Sequence, residues 1–573
     1  MEDFAALRAQ LHRLDGQRYG AYRSLRKSRW DHGDVSLEWH HVQGDPFASP
    51  SRTLWTVSET HLNLAPWAKD TPDSRRASAD FFQRRLYKRC QSLKAVGQGQ
   101  SGRVSIGQPG QEILERSGVH IDENGRAYCR LSIGLPANGR RIRGHLAAGL
   151  VCETIPSLLR DALTQYETDH LQQWVESVAD QVALRHHLAS KGLVAFIGDT
   201  SVLARRSGRH DEPMKEAVPI HAPDSLAVHL DTPHRGMIRG LGIPTGVTLI
   251  VGGGYHGKST LLSAISRGIY DHIPGDGRAL CVTREDAVFV RAEDGRAVRG
   301  VDISALIGPL PDGRDTTAFY TDDASGSTSQ AAAIVEAMEL GAQLLLMDED
   351  TTATNFMMRD ERMRTLVPAA DEPIIPFIDR IGELNTLHDI STIMVVGGAG
   401  AYLSVADTVI RMAHYQAIDA TADALAIVGQ SPPLNPTQPP LKPWGTRPSR
   451  TPCFEGMANS GKRNQPKIRP WGSRGVEVGS DQVDCLALTQ LVDEGQLNFL
   501  ADIIKRLLHR PMNSRLTMNT LTQMIDEELN RHGVSKALST THGNRARVRR
   551  FEVAALLNRL PGLRIKIAHD EDI

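Results

Sequence analysis

Residues Gly252 to Thr260, Gly-Gly-Gly-Tyr-His-Gly-Lys-Ser-Thr, have the types and spacing that hold a polyphosphate. They read G-x-x-x-x-G-K-S and lie between a β-branched run, Val247–Val251, and an apolar stretch, Leu261–Ile265, which is the strand-then-helix setting of a P-loop. Gly252, Gly253, Gly254 and Gly257 let the backbone curl around Tyr255 and His256, so that successive N–H groups point inward at phosphate oxygens. The helix that starts at the loop adds its positive end to the same anion site. Lys258 is expected to reach the β- and γ-phosphates, and Ser259, followed by Thr260, to ligate Mg²⁺. The predicted cofactors are therefore ATP and Mg²⁺. His256 is read as filling loop space.

A second group supplies carboxylates. The apolar run Leu344–Met347 ends in Asp348-Glu349-Asp350. A strand ending in Asp-Glu is the Walker B pattern, in which Asp348 holds Mg²⁺ and Glu349 orients and deprotonates the attacking water. Lys258 and Glu349 are thus the predicted catalytic residues of an ATPase. No other cluster competes with these. Six scattered cysteines form no Cys-x-x-Cys pair, and the 22 histidines show no metal spacing. His40 and His41 are adjacent and would point to opposite faces of a strand.

These side chains need a scaffold. Residues 245–415 alternate apolar runs with helical stretches, the βα pattern of a mostly parallel sheet flanked by helices, with Thr392–Val396 as a further core strand. A helix is expected from Ala331 to Leu340, closed by Gly341. The segment from Ala287 to Asp312 reads as a hairpin-like insertion. Upstream, residues 5–30 read as an amphipathic helix and a basic loop. A strand is expected at Cys129–Gly134, helix from Ser157 to His187, and a buried strand at Leu193–Ile197. Residues 431–470 are rich in Pro, Gly, Ser and Asn, which reads as a linker. Beyond it, Leu486–Leu508, Leu516–Leu529 and Phe551–Leu560 look helical. The predicted fold class is α/β: residues 1–240 an α+β domain, 241–430 a P-loop ATPase core, 431–475 a linker, and 476–573 a mainly helical region.

A single core stops growing near roughly 250–300 residues, so 573 residues require more than one domain. No run approaches the roughly 20 apolar residues that span a bilayer, which argues against membrane insertion. The start, Met1-Glu2-Asp3-Phe4, has no apolar signal core, so a cytoplasmic location is expected. The net charge of −1 gives no global argument for nucleic acid. Residues 1–150, however, hold 23 Lys+Arg against 15 Asp+Glu. Arg23, Arg26, Lys27 and Arg29 lie near Tyr19 and Tyr22; Arg84, Arg85, Lys88 and Arg89 flank Tyr87; Arg140, Arg141 and Arg143 follow a loop. Cations bind phosphates and aromatic rings stack on bases, so RNA or another nucleic acid is a candidate partner for this face, with solvated charge as the alternative. Arg545, Arg547, Arg549 and Arg550 form a second basic cluster.

Asp323-Ala324-Ser325-Gly326-Ser327-Thr328-Ser329-Gln330 opens the helix that leads into the Asp348 strand. In ABC ATPases a Leu-Ser-Gly-Gly-Gln signature occupies that place. Here Ser325 and Gly326 match its Ser-Gly, Ser327 stands for the second Gly, and Ser325 precedes Asp348 by 23 positions. With Asp348 to Asn355 and Arg291 to Arg296, the chain resembles the ABC-class ATPases of the "ABC-ATPase domain" family over most of its length. The resemblance implies an ABC-type core in which Ser325, Gly326 and Ser327 bind the γ-phosphate of a nucleotide held by a second copy. One P-loop and one signature per chain then imply a head-to-tail homodimer with two ATP molecules in its interface, acting as a switched clamp. An ABC subunit with a protein partner and a nucleotide-locked dimer with little hydrolysis are the alternatives. Three departures stand out. Gly397-Gly398-Ala399-Gly400-Ala401 replaces the usual switch histidine, Asp350 replaces the proline after the catalytic Glu, and no Q-loop glutamine precedes Ser325. Slow turnover is the expectation that follows.

Overall fold

The computed structural model describes residues 2–26, 29–95, 97–368, 371–429, 444, 449–455, 457, 466–509, 516–537 and 540–568. The chain forms two compact units, which are taken separately. The first comprises Met1–Ala179, Asp493–Phe499 and Glu528–Arg547; the second comprises Asp180–Val492, Leu500–Glu527 and Val548–Ile573. The division falls earlier than the 240/241 boundary of the sequence reading, because Leu193–Gly198 and the strands after it pair with one another and with Cys281–Thr283.

In the first unit, α1 (Phe4–Arg13) is capped by Asp3, whose carboxylate accepts the Ala6 N–H at 2.8 Å, and it buries Phe4, Leu7 and Leu11. The "basic loop" is in part a 3₁₀ segment, Tyr19–Leu25, that buries both tyrosines. Strands β1 (Arg29–His32), β2 (Val35–His41) and β3 (Ser51–Val57) form an antiparallel meander, continued by β5 (Ala127–Ile133), which also pairs with β4 (Val119–Ile121). Burial along β3 alternates strictly, as expected of a sheet with one face on the core. Between β3 and β4 runs α2 (Pro72–Ser92), opened by a Thr71/Ser74 capping box with Pro72 in its first turn. The short hairpin β6 (Ala137–Asn138) and β7 (Arg141–Ile142) follows.

The second unit contributes, in order, β8 (Leu193–Gly198), β9 (Ala227–Thr232), β10 (Gly236–Pro244), β11 (Val247–Val251), α3 (Lys258–Arg267), β12 (Cys281–Thr283), β13 (Ala287–Phe289), α4 (Gly326–Glu339), β14 (Leu344–Asp348), β15 (Ser391–Val395), β16 (Thr408–Ala413) and β17 (Gln416–Asp419). Strands β9-β10-β8-β12 make an antiparallel sheet over a core of Leu184, Leu188, Leu193, Phe196, Leu230 and Val282. The other sheet has the order β13-β14-β15-β11-β16-β17, parallel except for β17. Residues of β14 and β15 are buried throughout, as covering both faces of a parallel sheet demands. The order places β15 between the P-loop strand β11 and the acid-bearing strand β14. All three therefore deliver their C-terminal ends to one edge, where open parallel sheets bind ligands.

The segment from Ala287 begins as an edge strand of this sheet: β13 pairs with β14, which corrects the reading of it as a hairpin-like insertion. Only Val298–Val301 and Phe319–Thr321 pair as a separate ribbon. Gly341, in left-handed backbone (φ 73°), follows α4 as expected. Most of the proposed 431–475 linker lies outside the described residues. Within it, β18 (Ser449–Cys453) is a strand, and so is β19 (Ile468–Trp471), which opens a meander with β20 (Gly475–Val478) and β21 (Asp481–Asp484). The C-terminal region carries helices Glu494–His509, Met518–Lys536 and α5 (Arg550–Asn558). To these it adds β22 (Arg564–Ala568), the antiparallel partner of β18.

Candidate functional site

Gly252 sits at φ 139°, and a Cβ added there would lie 2.4 Å from the Met412 carbonyl oxygen, so the loop leaves β11 only with glycine at this position. At the far end Gly257 adopts φ 98° and hands the chain to α3 at Lys258. Between them Tyr255 takes φ 63°, uncommon for a residue with a side chain, and the residue is 99% exposed. The Lys258 ammonium spans the curl, donating to the Gly252 carbonyl at 2.8 Å and the Gly253 carbonyl at 3.0 Å. Gly253, Gly254 and Ser259 are exposed, while His256 and Thr260 are half-buried. The loop runs directly into the start of α3, whose first N–H groups lack intrahelical acceptors, the setting in which a helix start binds an anion.

His256 does more than fill space. Its Nδ1 accepts the His414 N–H at 2.8 Å, and the two rings meet edge to face at 5.1 Å. His414 and Tyr415 are both left-handed (φ 49° and 67°), which makes the tight β16–β17 turn, and half-exposed Tyr415 lies against Gly257. The sequence reading missed this brace, because the partners are a turn and a loop 158 residues apart.

Asp348 ends β14 with its side chain mostly buried. Its Oδ1 accepts the Asp350 N–H at 3.2 Å, and its carbonyl accepts the Thr351 and Thr352 hydroxyls at 3.2 and 2.9 Å. Glu349, the next residue, turns its carboxylate to the end of β15. Oε2 accepts the N–H of Gly397 at 2.5 Å and that of Gly398 at 3.0 Å. The P-loop lysine and both acids thus stand at the C-terminal edge of one sheet, on strands separated only by β15.

The signature residues are arranged differently from one another. Ser325 caps α4, its hydroxyl accepting the Thr328 N–H at 3.4 Å; it is exposed, and Gly326 is half-buried. Ser327, in contrast, is 9% exposed, with its hydroxyl 3.3 Å from that of Ser325. Its hydroxyl is therefore already shared with that of the capping Ser325. Among the described residues, no hydrogen bond joins Ser325, Gly326 or Ser327 to the P-loop. Fully buried Gln330 fixes the helix to the loop after Glu349: its Oε1 accepts the Ala353 N–H at 3.0 Å and its amide donates to the Thr352 hydroxyl at 3.3 Å. Behind it, β13 runs on alongside β14, with Ala292 N–H on the Thr351 carbonyl at 2.9 Å. Glu293 N–H donates to the Ser329 hydroxyl at 2.9 Å, and the Glu293 carboxylate pairs with buried Arg559 of the C-terminal region. Burial works to raise the Glu293 carboxyl, but Arg559, with Arg296 and Arg291, outweighs it and holds the group below the usual carboxylate range.

These groups suit ATP with Mg²⁺. A hydroxyl and a carboxylate, Ser259 and Asp348, are hard oxygen donors, and Mg²⁺ takes few protein ligands, keeping water and phosphate oxygens for the rest. Among the described residues no group of three or more His, Cys, Asp or Glu could hold a metal by itself.

The basic clusters of the first unit fare less well. Arg84 is held by Asp80 (2.6 and 3.2 Å) and by the Gly110 and Glu112 carbonyls (2.5 and 3.2 Å). Arg85 donates to the carbonyls of Ala162 (2.8 Å), Asp161 (3.2 Å) and Gln165, and packs over Phe81 and Tyr166. Both arginines fasten α2 and do not offer a phosphate-binding face, a correction to the sequence reading. Tyr19 and Tyr22 are likewise buried, donating to Gln43 and to the Pro136 carbonyl. Of the second cluster, Arg545 is buried and Arg549 pairs with Glu552. Arg140, Arg141 and Arg143 remain exposed, with Arg140 3.0 Å from Asp45 and Arg141 on the Gly16 carbonyl.

A parallel sheet with a P-loop, a Walker B acid pair and a signature-type helix defines an ABC-class nucleotide-binding protein. The comparisons agree along the chain. Residues 4–166 match the family described as ATPase of the ABC class N-terminal, residues 167–443 match the ABC ATPase P-loop domain, and residues 467–566 match the MRB1590 C-terminal domain. The chain belongs to the ABC-class ATPase family. It is similar to the uncharacterized protein MJ1628 of Methanocaldococcus jannaschii, at 32% identity over 200 residues. That match spans 33% of this chain and 44%, less than half, of the relative. Among solved structures, similarity extends to cbiO1 from Clostridium perfringens, part of the ABC transporter complex cbiONQ (16% identity, TM-score 0.26, 41% of this chain and 91% of that one). It extends also to the ADP conformation of MJ1267, an ATP-binding cassette of an ABC transporter (12% identity, TM-score 0.24, 42% and 95%). ABC ATPases bind ATP, usually with Mg²⁺, hydrolyse it, and commonly dimerise. No helix among the described residues is long and apolar enough to cross a membrane.

Proposed function

We propose that the chain is an ATP–Mg²⁺-dependent ATPase that works as a head-to-tail pair, each copy completing the other's nucleotide site. The observation that carries this reading is the meeting of Lys258, Asp348 and Glu349 at one sheet edge, with an exposed Ser325 capping a separate helix. In this reading the P-loop N–H groups and Lys258 bind the β- and γ-phosphates, and Ser259 and Asp348 hold Mg²⁺. When bound, Mg²⁺ neutralises charge on the phosphates. Glu349 orients the attacking water. Ser325 and the first N–H groups of α4, those of Gly326 and Ser327, complete the γ-phosphate site of the partner copy. Hydrolysis removes that contact and loosens the pair, so the dimer is a clamp switched by ATP. Turnover is slow, because no histidine side chain stands after β15.

A nucleic-acid substrate for the clamp is a second reading, favoured by exposed Arg140, Arg141 and Arg143 in and around the β6–β7 hairpin. ATP turnover with and without bulk RNA, using Lys258→Ala as the blank, tests both. RNA-stimulated turnover that falls with added salt supports the clamp on nucleic acid. Turnover indifferent to RNA points to a protein partner, and bound ATP with no turnover above the blank points to a nucleotide-locked dimer. Absence of ATP binding refutes the whole reading.

A further inference from the structure

Strand β15 is held on both sides. It pairs with β14 through Ser391↔Leu344 to Val395↔Asp348 and with β11 through Thr392↔Val247 to Val395↔Ile250, and the Val396 N–H donates to the Ile250 carbonyl at 3.0 Å. The two residues that follow, Gly397 and Gly398, are exposed. Their N–H groups therefore leave a rigid sheet at a fixed place, and both converge on Glu349 Oε2. Close approach does not explain the glycines. A Cβ on Gly397 or Gly398 would stand 3.7 or 3.5 Å from the carboxylate oxygens, an ordinary contact, and neither residue is in left-handed backbone. What this segment supplies is two bare donors. Hydrogen bonds from N–H to an ionised carboxylate are about twice as strong as neutral ones and set the orientation of its plane. With Oε2 held, Oε1 is left without a hydrogen bond among the described residues.

We propose that the Gly397–Gly398 amide pair is the positioning device for Glu349, fixing Oε2 so that Oε1 meets the water that attacks the γ-phosphorus. The inference rests on the ATPase reading of Glu349. In the step, the water oxygen bonds to phosphorus and the bond to the β,γ-bridging oxygen breaks, its electron pair leaving with ADP. The water proton passes to Glu349 Oε1. Two backbone donors thus orient the base where the switch histidine of a usual cassette would stand.

Full-length Gly397→Pro and Gly398→Pro each remove one N–H, whereas Gly397→Ala and Gly398→Ala keep it. The proline variants are expected to lose about 10- to 100-fold in kcat with ATP affinity within about twofold of wild type, and the alanine variants to recover most of the loss. Proline variants that bind ATP and turn over at the wild-type kcat overturn the proposal. Should the prolines not fold, amide hydrogen exchange at 397 and 398 decides, compared between wild type and Glu349→Ala. Faster exchange in Glu349→Ala supports the pair, and equal exchange overturns it. If wild type itself shows no Lys258-dependent turnover, the ATPase reading fails, whatever the exchange shows.

Discussion

Replacing Arg559 with Met removes the cation that neutralises Glu293 behind the signature helix. The two side chains are 5% and 12% exposed. Arg559 binds Glu293 through Nε at 3.1 Å and through a second nitrogen, and it also donates to the Ala555 carbonyl at 2.8 Å. Met keeps most of the volume, so the loss is electrostatic. Breaking a buried pair from one side costs about 3–5 kcal/mol, because a carboxylate is left without its partner. Arg296 softens this little, since it is engaged with Glu336 at 3.1 and 3.2 Å. The low end, about 3 kcal/mol, corresponds to a fall of roughly 4 °C in the melting temperature of a unit this large. The loss depends on pH. The folded-state pKa of Glu293 is depressed, so its contribution is complete above the unfolded value of about 4.3 and fades as pH falls through the folded value. Thermal melts of Arg559→Met and wild type should differ most near neutral pH and converge on acidification. The double variant Glu293→Gln/Arg559→Met should recover part of the loss. A single variant that melts within about 1 °C of wild type at neutral pH would refute the argument.

Other outcomes follow from the same geometry. Gly252→Ala drives a Cβ into the Met412 carbonyl and should weaken ATP binding at least tenfold with a destabilisation of about 1–3 kcal/mol; Gly254→Ala, with open space at its Cβ, should leave the melting temperature unchanged. Gln330→Leu strands the Ala353 N–H and frees the loop after Glu349. It should cost about 1–3 kcal/mol in denaturant unfolding and lower kcat more than ATP affinity. On the nucleic-acid reading of the clamp, Arg140→Ala/Arg141→Ala/Arg143→Ala should lower RNA-stimulated turnover and flatten its salt dependence without changing the melting temperature, whereas Arg84→Ala should destabilise α2, as seen by circular dichroism.

The P-loop was legible because its chemistry is local: glycine, lysine and serine at fixed spacing, with a strand before and a helix after. The Asp348-Glu349 end of β14 was legible for the same reason. What a sequence does not display is which distant groups those residues meet. Ser327 occupies a signature position, yet it is largely buried and its hydroxyl meets that of Ser325. Gln330 belongs to the same phrase, but its tie to Ala353 depends on how α4 packs. Arg84 and Arg85 look like a phosphate-binding run and are consumed by Asp80 and by carbonyls of neighbouring loops. Three-residue β13 is too short for periodicity to reveal, and β18 becomes a strand only because β22, at the other end of the C-terminal region, pairs with it. The two glycines after β15 read as the loss of a histidine, whereas the fold sets their amides on Glu349.

The most direct test of the central claim is the solution mass of the Glu349→Gln variant, by size-exclusion chromatography with light scattering, with ATP–Mg²⁺ and with ADP–Mg²⁺. Two copies completing each other's sites predict a species of twice 62.8 kDa with ATP that is lost with ADP. A mass that is the same with either nucleotide would contradict an ATP-switched pair.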